Sequence, residues 1–254
     1  MLIKFQAKTP GENIGSAVDM VKAKARAKFD EAVDISVNLG VDPRKIEQNI
    51  RGVVKLPHGT GKTLRIGVFA RGDDAQQAIG AGADVVGAED LVKRIEDGDI
   101  YFDVLIATPE MMGMRIEDGE YLAIWQSGGS TEFLGIVKKL GKILGPRGLM
   151  PDYILGTVTN DIANAIKDAR TSVTFRVERI GGIVHARIGK VSFSAQQLLD
   201  NIRAFMLTVN EKKPKVFTGD YIQKVHLSST MGPSIKVDVA SVDPTNPMFF
   251  VNPT

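Results

Sequence analysis

The sequence predicts an α/β protein in which two β-rich flanks enclose an α/β middle. Three observations carry this. AVDISVNLG (32–40) sets Val33, Ile35, Val37 and Leu39 on one face, the period of a half-buried strand. LRIGVFA (64–70), ADVVG (83–87) and FDVLIAT (102–108) are short apolar runs alternating with helix-like segments, the pattern of a parallel sheet covered on both faces. TSVTFRVERIGGIVHARIGKVSF (171–193) then returns to strands, joined at the turn IGG.

The remaining elements follow in order. SAVDMVKAKARAK (16–28) is rich in Ala and Lys and reads as a helix capped by Ser16. VDPRKIEQNI (41–50) is a connection, and RGVVKLP (51–57) is a short strand ended by Pro57. DDAQQAIGAG (73–82) is a short helix opened by Asp73 and closed by glycine, and AEDLVKRIEDG (88–98) is another helix. NDIANAIKDAR (160–170) is a further helix, opened by Asn160 or Asp161. FSAQQLLDNIRAFMLTVNE (193–211) is amphipathic, with Leu198, Leu199, Ile202, Phe205 and Met206 on one side. YIQKVHLSST (221–230) and SIKVDVASV (234–242) read as closing strands, and DPTNPMFFVNPT (243–254) as an irregular tail. Neither flank holds enough strands for a covered sheet, so the economical solution pairs the flanks and inserts the middle.

Of the 254 residues, 43% are hydrophobic and 24% charged, which predicts a packed soluble core. With no cysteine, a disulfide scaffold, a thiolate metal site and a cysteine nucleophile are excluded. Three histidines without HExxH spacing give no metal centre, and no cofactor or metal is expected. No apolar run approaches the ~18 residues of a membrane span, and MLIKFQAKTPGENIG shows neither an apolar signal core nor an Arg/Ser-rich presequence. No membrane partner and no homo-oligomer are expected. The net charge of +2 says little; clustering says more. VKAKARAKF (21–29) carries Lys22, Lys24, Arg26 and Lys28 without an acid. VKKLGKILGPRGLMP (137–151) carries Lys138, Lys139, Lys142 and Arg147 without an acid, stiffened by glycines and prolines. Either is a solvated face or a polyanion contact.

Enzyme motifs fail on spacing. HGTGKT (58–63) has Leu56 where a phosphate-binding loop needs glycine, and it precedes its apolar strand instead of following it, so it reads as a linker. GAGADVVG (80–87) stops a helix where a dinucleotide fingerprint would start one. His58, His185 and His226 have no GxSxG nucleophile to serve. SSTMGP (228–233) interrupts two strand patterns: Gly232 and Pro233 break pairing, while the hydroxyls and a flexible Met231 suit either a plain bend or a contact to sugar, phosphate or base.

LGKILGPRGLMP (140–151) followed by GTVT (156–159) resembles the signature of the large-subunit ribosomal protein L-one family. AKFDEAVDISVNLGVDPRK (27–45), RGVVKLPHGTGK (51–62), GADVVGAEDLV (82–92), FDVLIATPEMM (102–112), VHARIGKVSFSAQQLLDNIRAF (184–205) and STMGPSIKVDV (229–239) agree with it in the same order. The resemblance implies an RRM-like split sheet built from residues 1–59 and 172–254, with a Rossmann-like α/β domain, 60–171, inserted between two crossings near 58–62 and 169–171. It implies a non-enzymatic constituent of the large ribosomal subunit. Such a protein binds a hairpin and junction of large-subunit rRNA and forms a mobile stalk that contacts exit-site tRNA and aids its release. In bacterial members it also represses translation of its own mRNA. The implied rRNA-binding positions are Lys28, Phe29, Lys190, Ser228, Thr230, Met231 and Gly232, with weaker contacts on the rRNA or tRNA side from Lys138, Lys139, Lys142 and Arg147.

Two features depart from the bacterial pattern. About twenty extra residues stand in MRIEDGEYLAIWQSGGSTEFLGI (114–136), read as a hairpin near 115–134 around SGGS that docks on the inserted domain or on another ribosomal component, and the tail after Val239 is long. Localisation is therefore read as a ribosome, in a mitochondrion or plastid or in a bacterial cytoplasm. The rival readings are a nucleotide-dependent enzyme using HGTGKT and a repressor free of the ribosome.

Overall fold

The structure, a computed structural model, describes residues 11–117, 120–123, 137, 140–153, 155–214, 217 and 219–250. The chain forms two compact units whose boundaries fall at Lys62/Thr63 and Arg170/Thr171.

The first unit is built around an antiparallel sheet ordered β11–β10–β1–β9: β1 is Ala32–Leu39, β9 Ile183–Lys190, β10 Ile222–Ser229 and β11 Ile235–Val237. β1 thus lies between strands from the far end of the chain. Its alternation decides its faces: Val33, Ile35, Val37 and Leu39 are buried, while Asp34, Ser36 and Asn38 are half-buried on the other side. Helices α1 (Ile14–Lys24) and α6 (Ala195–Glu211) share the buried core with the apolar face. α1 contributes Ile14, Val18 and Val21; α6 contributes Leu198, Ile202, Phe205 and Met206. α6 starts at a capping box, Ser194 with Gln197, a device worth about 1 kcal/mol. Gly189 on β9 lets α6 come close, because a Cβ there would stand 2.9 Å from Leu198 Cδ2. A separate ribbon pairs β2 (Arg51–Lys55) with β8 (Ser172–Arg176). Phe175 sends its ring edge-on to Phe205, 5.8 Å between centroids.

In the second unit β3 (Ile66–Phe69) lies between β4 (Val85–Gly87) and β5 (Val104–Ala107), all parallel. Helices α2 (Gly72–Gly80), α3 (Glu89–Glu96) and α5 (Ile162–Thr171) connect or follow them, the alternation of a Rossmann-like fold. Both sheet faces are covered. Phe69, Leu105 and Ala107 pack with Leu91, Ile95 and Phe102 on one side, and Ile66, Val68 and Ile106 pack with Ala78, Ile162 and Ile166 on the other. A short hairpin pairs β6 (Met114–Glu117) with β7 (Glu120–Ala123), and a one-turn helix α4 spans Gly141–Leu144.

Several elements differ from the sequence reading. α1 begins at Asn13, whose side chain accepts the Gly15 N–H, and stops at Lys24, so Arg26 and Lys28 leave the helix. β8 itself pairs with β2; the expected IGG turn joins it to β9 only past its end, through the Val177↔Val184 bridge and the Glu178 N–H to the Ile183 carbonyl at 2.8 Å. The segment read as a final strand turns helical at α7 (Val239–Val242), because Asp238 accepts the Ala240 N–H. The hairpin expected around SGGS falls mostly on 124–136, outside the described residues; the observed pair sets Met114–Glu117 against Glu120–Ala123, with Glu117 opposite Glu120.

Candidate nucleic-acid interface

Helix α1 ends because Ala25 turns extended, at φ −70° and ψ 116°, although Ala and Lys favour continuing it. The chain then loops through Arg26–Asp30 into β1. From β10 it turns at Ser229–Gly232, where the Gly232 N–H reaches the Ser229 carbonyl at 3.2 Å. These two loops are about two hundred residues apart in sequence, and Glu31 joins them. Its side chain, 1% exposed, accepts the Ala27 N–H at 2.9 Å on one oxygen and the Met231 N–H at 2.9 Å on the other. These backbone donors, with the Ser229 hydroxyl beside them, hold its carboxyl below the ordinary carboxylate range. Thr230 adds a second tie: its hydroxyl accepts the Ala32 N–H at 3.0 Å, and its own N–H donates to the Ala32 carbonyl at 3.1 Å.

Clamped this way, the loops border an open cleft of about 630 Å³, lined by Lys24, Arg26, Ala27, Lys28, Phe29, Met231 and Pro233. Its lips are apolar and face solvent: Phe29 is 55% exposed and Met231 74%. Lys24, Arg26 and Lys28 have no acidic partner among the described residues. Cations beside exposed apolar side chains suit a folded nucleic acid, which offers phosphates and the flat faces of bases or riboses together.

The other expected positions divide. Lys190 ends β9 with its ammonium 3.6 Å from Asp30, so part of its charge is already answered. Asp30 in turn accepts the Ser192 hydroxyl at 2.9 Å and N–H at 3.1 Å; the hydroxyl does most to hold its carboxyl below the ordinary range. Ser228 lies half-buried on the sheet face away from the helices. Gly232 is required by closeness: a Cβ there would meet Ser229 Oγ at 2.3 Å. Thr230 is in place, but its hydroxyl shapes the turn before it can meet a ligand.

In the second unit Lys142 and Arg147 are exposed, while Lys138 and Lys139 lie outside the described residues. The apolar residues between the cations are core. Leu140 and Leu144 are buried, and Ile143, Leu149 and Met150 pack against the same cluster.

HGTGKT is followed by irregular chain leading to β3, with no helix whose N-terminus could take a phosphate. Its backbone belongs to α6 instead. The buried Asn201 accepts the His58 N–H at 3.1 Å and donates to the carbonyls of Gly59 at 3.0 Å and Ile188 at 2.8 Å. Gly59 and Gly61 take φ of 64° and 70°, the left-handed region that glycine enters freely. The three histidines form no triad: His58 stands 3.3 Å from Asp200, His185 3.9 Å from Glu178, and His226 lies beside Lys224 and Lys236.

Sequence reasoning missed Glu31, which reads as one acid among several in FDEAVD, gave no role to Asp30, and gave Pro233 only that of breaking strand pairing. Only the fold brings backbone donors from two loops onto one carboxylate. The model of the Ribosomal protein L1p/L10e family matches residues 21–115 and 130–233. The match passes over 116–129, within the stretch of extra residues, and takes in both cleft loops and the loop around α4. The chain belongs to the ribosomal protein L1p/L10e family: it is a structural, rRNA-binding protein of the large ribosomal subunit, from a family that is not one of enzymes.

Proposed function

We propose that the cleft between Arg26–Asp30 and Ser229–Pro233 holds a folded element of large-subunit rRNA, and that the protein thereby forms the mobile stalk that meets exit-site tRNA and aids its release. The observation that supports this most is the single buried carboxylate, Glu31, fixing two distant loops so that Phe29 and Met231 flank unpaired cations. In this reading Lys24, Arg26 and Lys28 neutralise phosphates. Phe29 and Met231 pack on nucleotides that only the folded RNA presents, Thr230 and Gly232 set the turn, and Ser228 offers its hydroxyl from the adjoining sheet face. Lys138, Lys139, Lys142 and Arg147 add charge toward rRNA or tRNA from the inserted unit. The same cleft would accept a matching hairpin in the protein's own mRNA, giving translational repression.

Sedimentation of extract at high salt tests ribosome residence. The protein is expected to stay with large subunits; release into the soluble fraction while binding its own mRNA would leave repression alone. A nucleotide titration that gave measurable ATP or GTP affinity would overturn the non-enzymatic reading.

A further inference from the structure

The sheet face that α1 and α6 leave uncovered carries a row of chemistry the cleft does not use. Register places Lys236, His226, Ser36 and His185 side by side on β11, β10, β1 and β9. At ~4.8 Å between strands the row spans roughly 14 Å. None of the four is buried. The next row toward the cleft is Ser228, Asp34 and Arg187; beyond it Thr230 bonds Ala32, which stands opposite Lys190. The imidazole row therefore shares a face with the cleft residues. His226 lies four residues before Thr230, which follows the end of β10, roughly 14 Å at ~3.4 Å per residue.

We propose that this row is a second RNA contact: RNA held at the cleft continues across the open sheet, and His226 and His185 meet its phosphates as imidazolium donors. The proposal rests on the reading of the cleft given above. Charges around the two rings make the contact conditional on protons. His226 faces Lys224 and Lys236, and burial with these cations keeps its pKa below the ordinary value, so in the free protein it is neutral near pH 7. A phosphate beside it would offset both lysines and favour proton uptake. His185 has the Glu178 carboxylate at 3.9 Å and Arg187 along its strand; Arg187 itself stands 3.6 Å from Asp34. No phenylalanine, tyrosine or tryptophan stands on this face of β1, β9, β10 or β11, so the imidazoles are its only ring surfaces. An ordinary solvated face would show no proton-linked affinity.

The experiment is filter binding of the full chain to purified large-subunit rRNA at fixed ionic strength, at about pH 8 and about pH 5.5, between which imidazole titrates. The parent is expected to bind roughly tenfold tighter at the lower pH, with a salt slope steeper by about one to two. His185→Gln/His226→Gln, checked for an unchanged melting curve, should lose this gain. The exposed single change His185→Gln should lose about half of the slope increase. His58→Gln, on a histidine away from this face, should keep the gain. Thr230→Ala/Met231→Ala should lower affinity at both pH values and also keep it. A parent without the gain, a double Gln variant that retains it, or a gain that follows His58 overturns the proposal. If the Thr230/Met231 variant binds normally while the histidine effect persists, the row stands and the reading of the cleft fails.

Discussion

The cleft around Phe29 and Met231 and the loop around α4 carry similar side chains and use them oppositely. Both are cationic and apolar in sequence, and both are interrupted by residues that bend the chain. In the α4 loop the apolar residues are spent on the core, since Leu140 and Leu144 are fully buried, and the cations Lys142 and Arg147 stand out. In the cleft the apolar residues face solvent, and a buried polar clamp keeps them there. Charge without shape binds polyanions generally; charge with fixed apolar lips can also distinguish one fold of RNA from another.

The largest expected effect breaks the cleft and leaves the loop alone. Thr230→Ala/Met231→Ala should weaken binding to large-subunit rRNA on the order of 10- to 1000-fold, at ~1.4 kcal/mol per tenfold, and hardly affect random duplex. Filter binding on both RNAs checks it. Gly232→Ala comes next. Its methyl group would collide with Ser229 Oγ at 2.3 Å, a clash worth about 1–3 kcal/mol, while the nearest carbon, Ser229 Cβ, is at 3.5 Å. Adding Ser229→Ala should therefore restore much of the lost stability, as read by thermal melts of the single and double variants.

Smaller effects separate charge from shape. Lys28→Ala should lower the salt slope by about one on every RNA. Lys190→Ala should lower it less, because Asp30 already answers part of its charge at 3.6 Å. Lys142→Ala/Arg147→Ala should weaken all RNAs alike and leave selectivity unchanged, the behaviour of charge alone. The smallest effect near neutrality is that of pH on the clamp. Glu31 and Asp30 both have folded pKa values below their unfolded ones, so their stabilisation is complete above the carboxylate range and is lost as pH falls through the folded values. The cleft should hold at about pH 5.5 and loosen below about pH 4, where chemical denaturation at a series of pH values would show falling stability.

Much of this was legible residue by residue. The alternation in AVDISVNL placed β1 and its buried face correctly, and the apolar runs gave the three parallel strands. Local signals misled where a distant group took over. Propensity carried α1 through Lys28, whereas Glu31 takes the Ala27 N–H and the helix stops at Lys24. Val239–Val242 looked like strand because valine favours it, but Asp238 caps a helical turn there. The meeting of Lys28 with Met231 has no local signature, and only resemblance to a family placed both at one site. Glu31 could not be singled out, since nothing in FDEAVD distinguishes a buried acid from a solvated one.

The central claim is that the apolar lips recognise and the cations position. Its most direct measurement is a salt titration of Phe29→Ala/Met231→Ala beside Lys28→Ala, on large-subunit rRNA and on random duplex. The account predicts that the lip variant loses affinity for the rRNA alone with its salt slope unchanged, while Lys28→Ala lowers the slope by about one on both RNAs. Equal loss on both RNAs by the lip variant, or a fall in its slope matching that of Lys28→Ala, would contradict it.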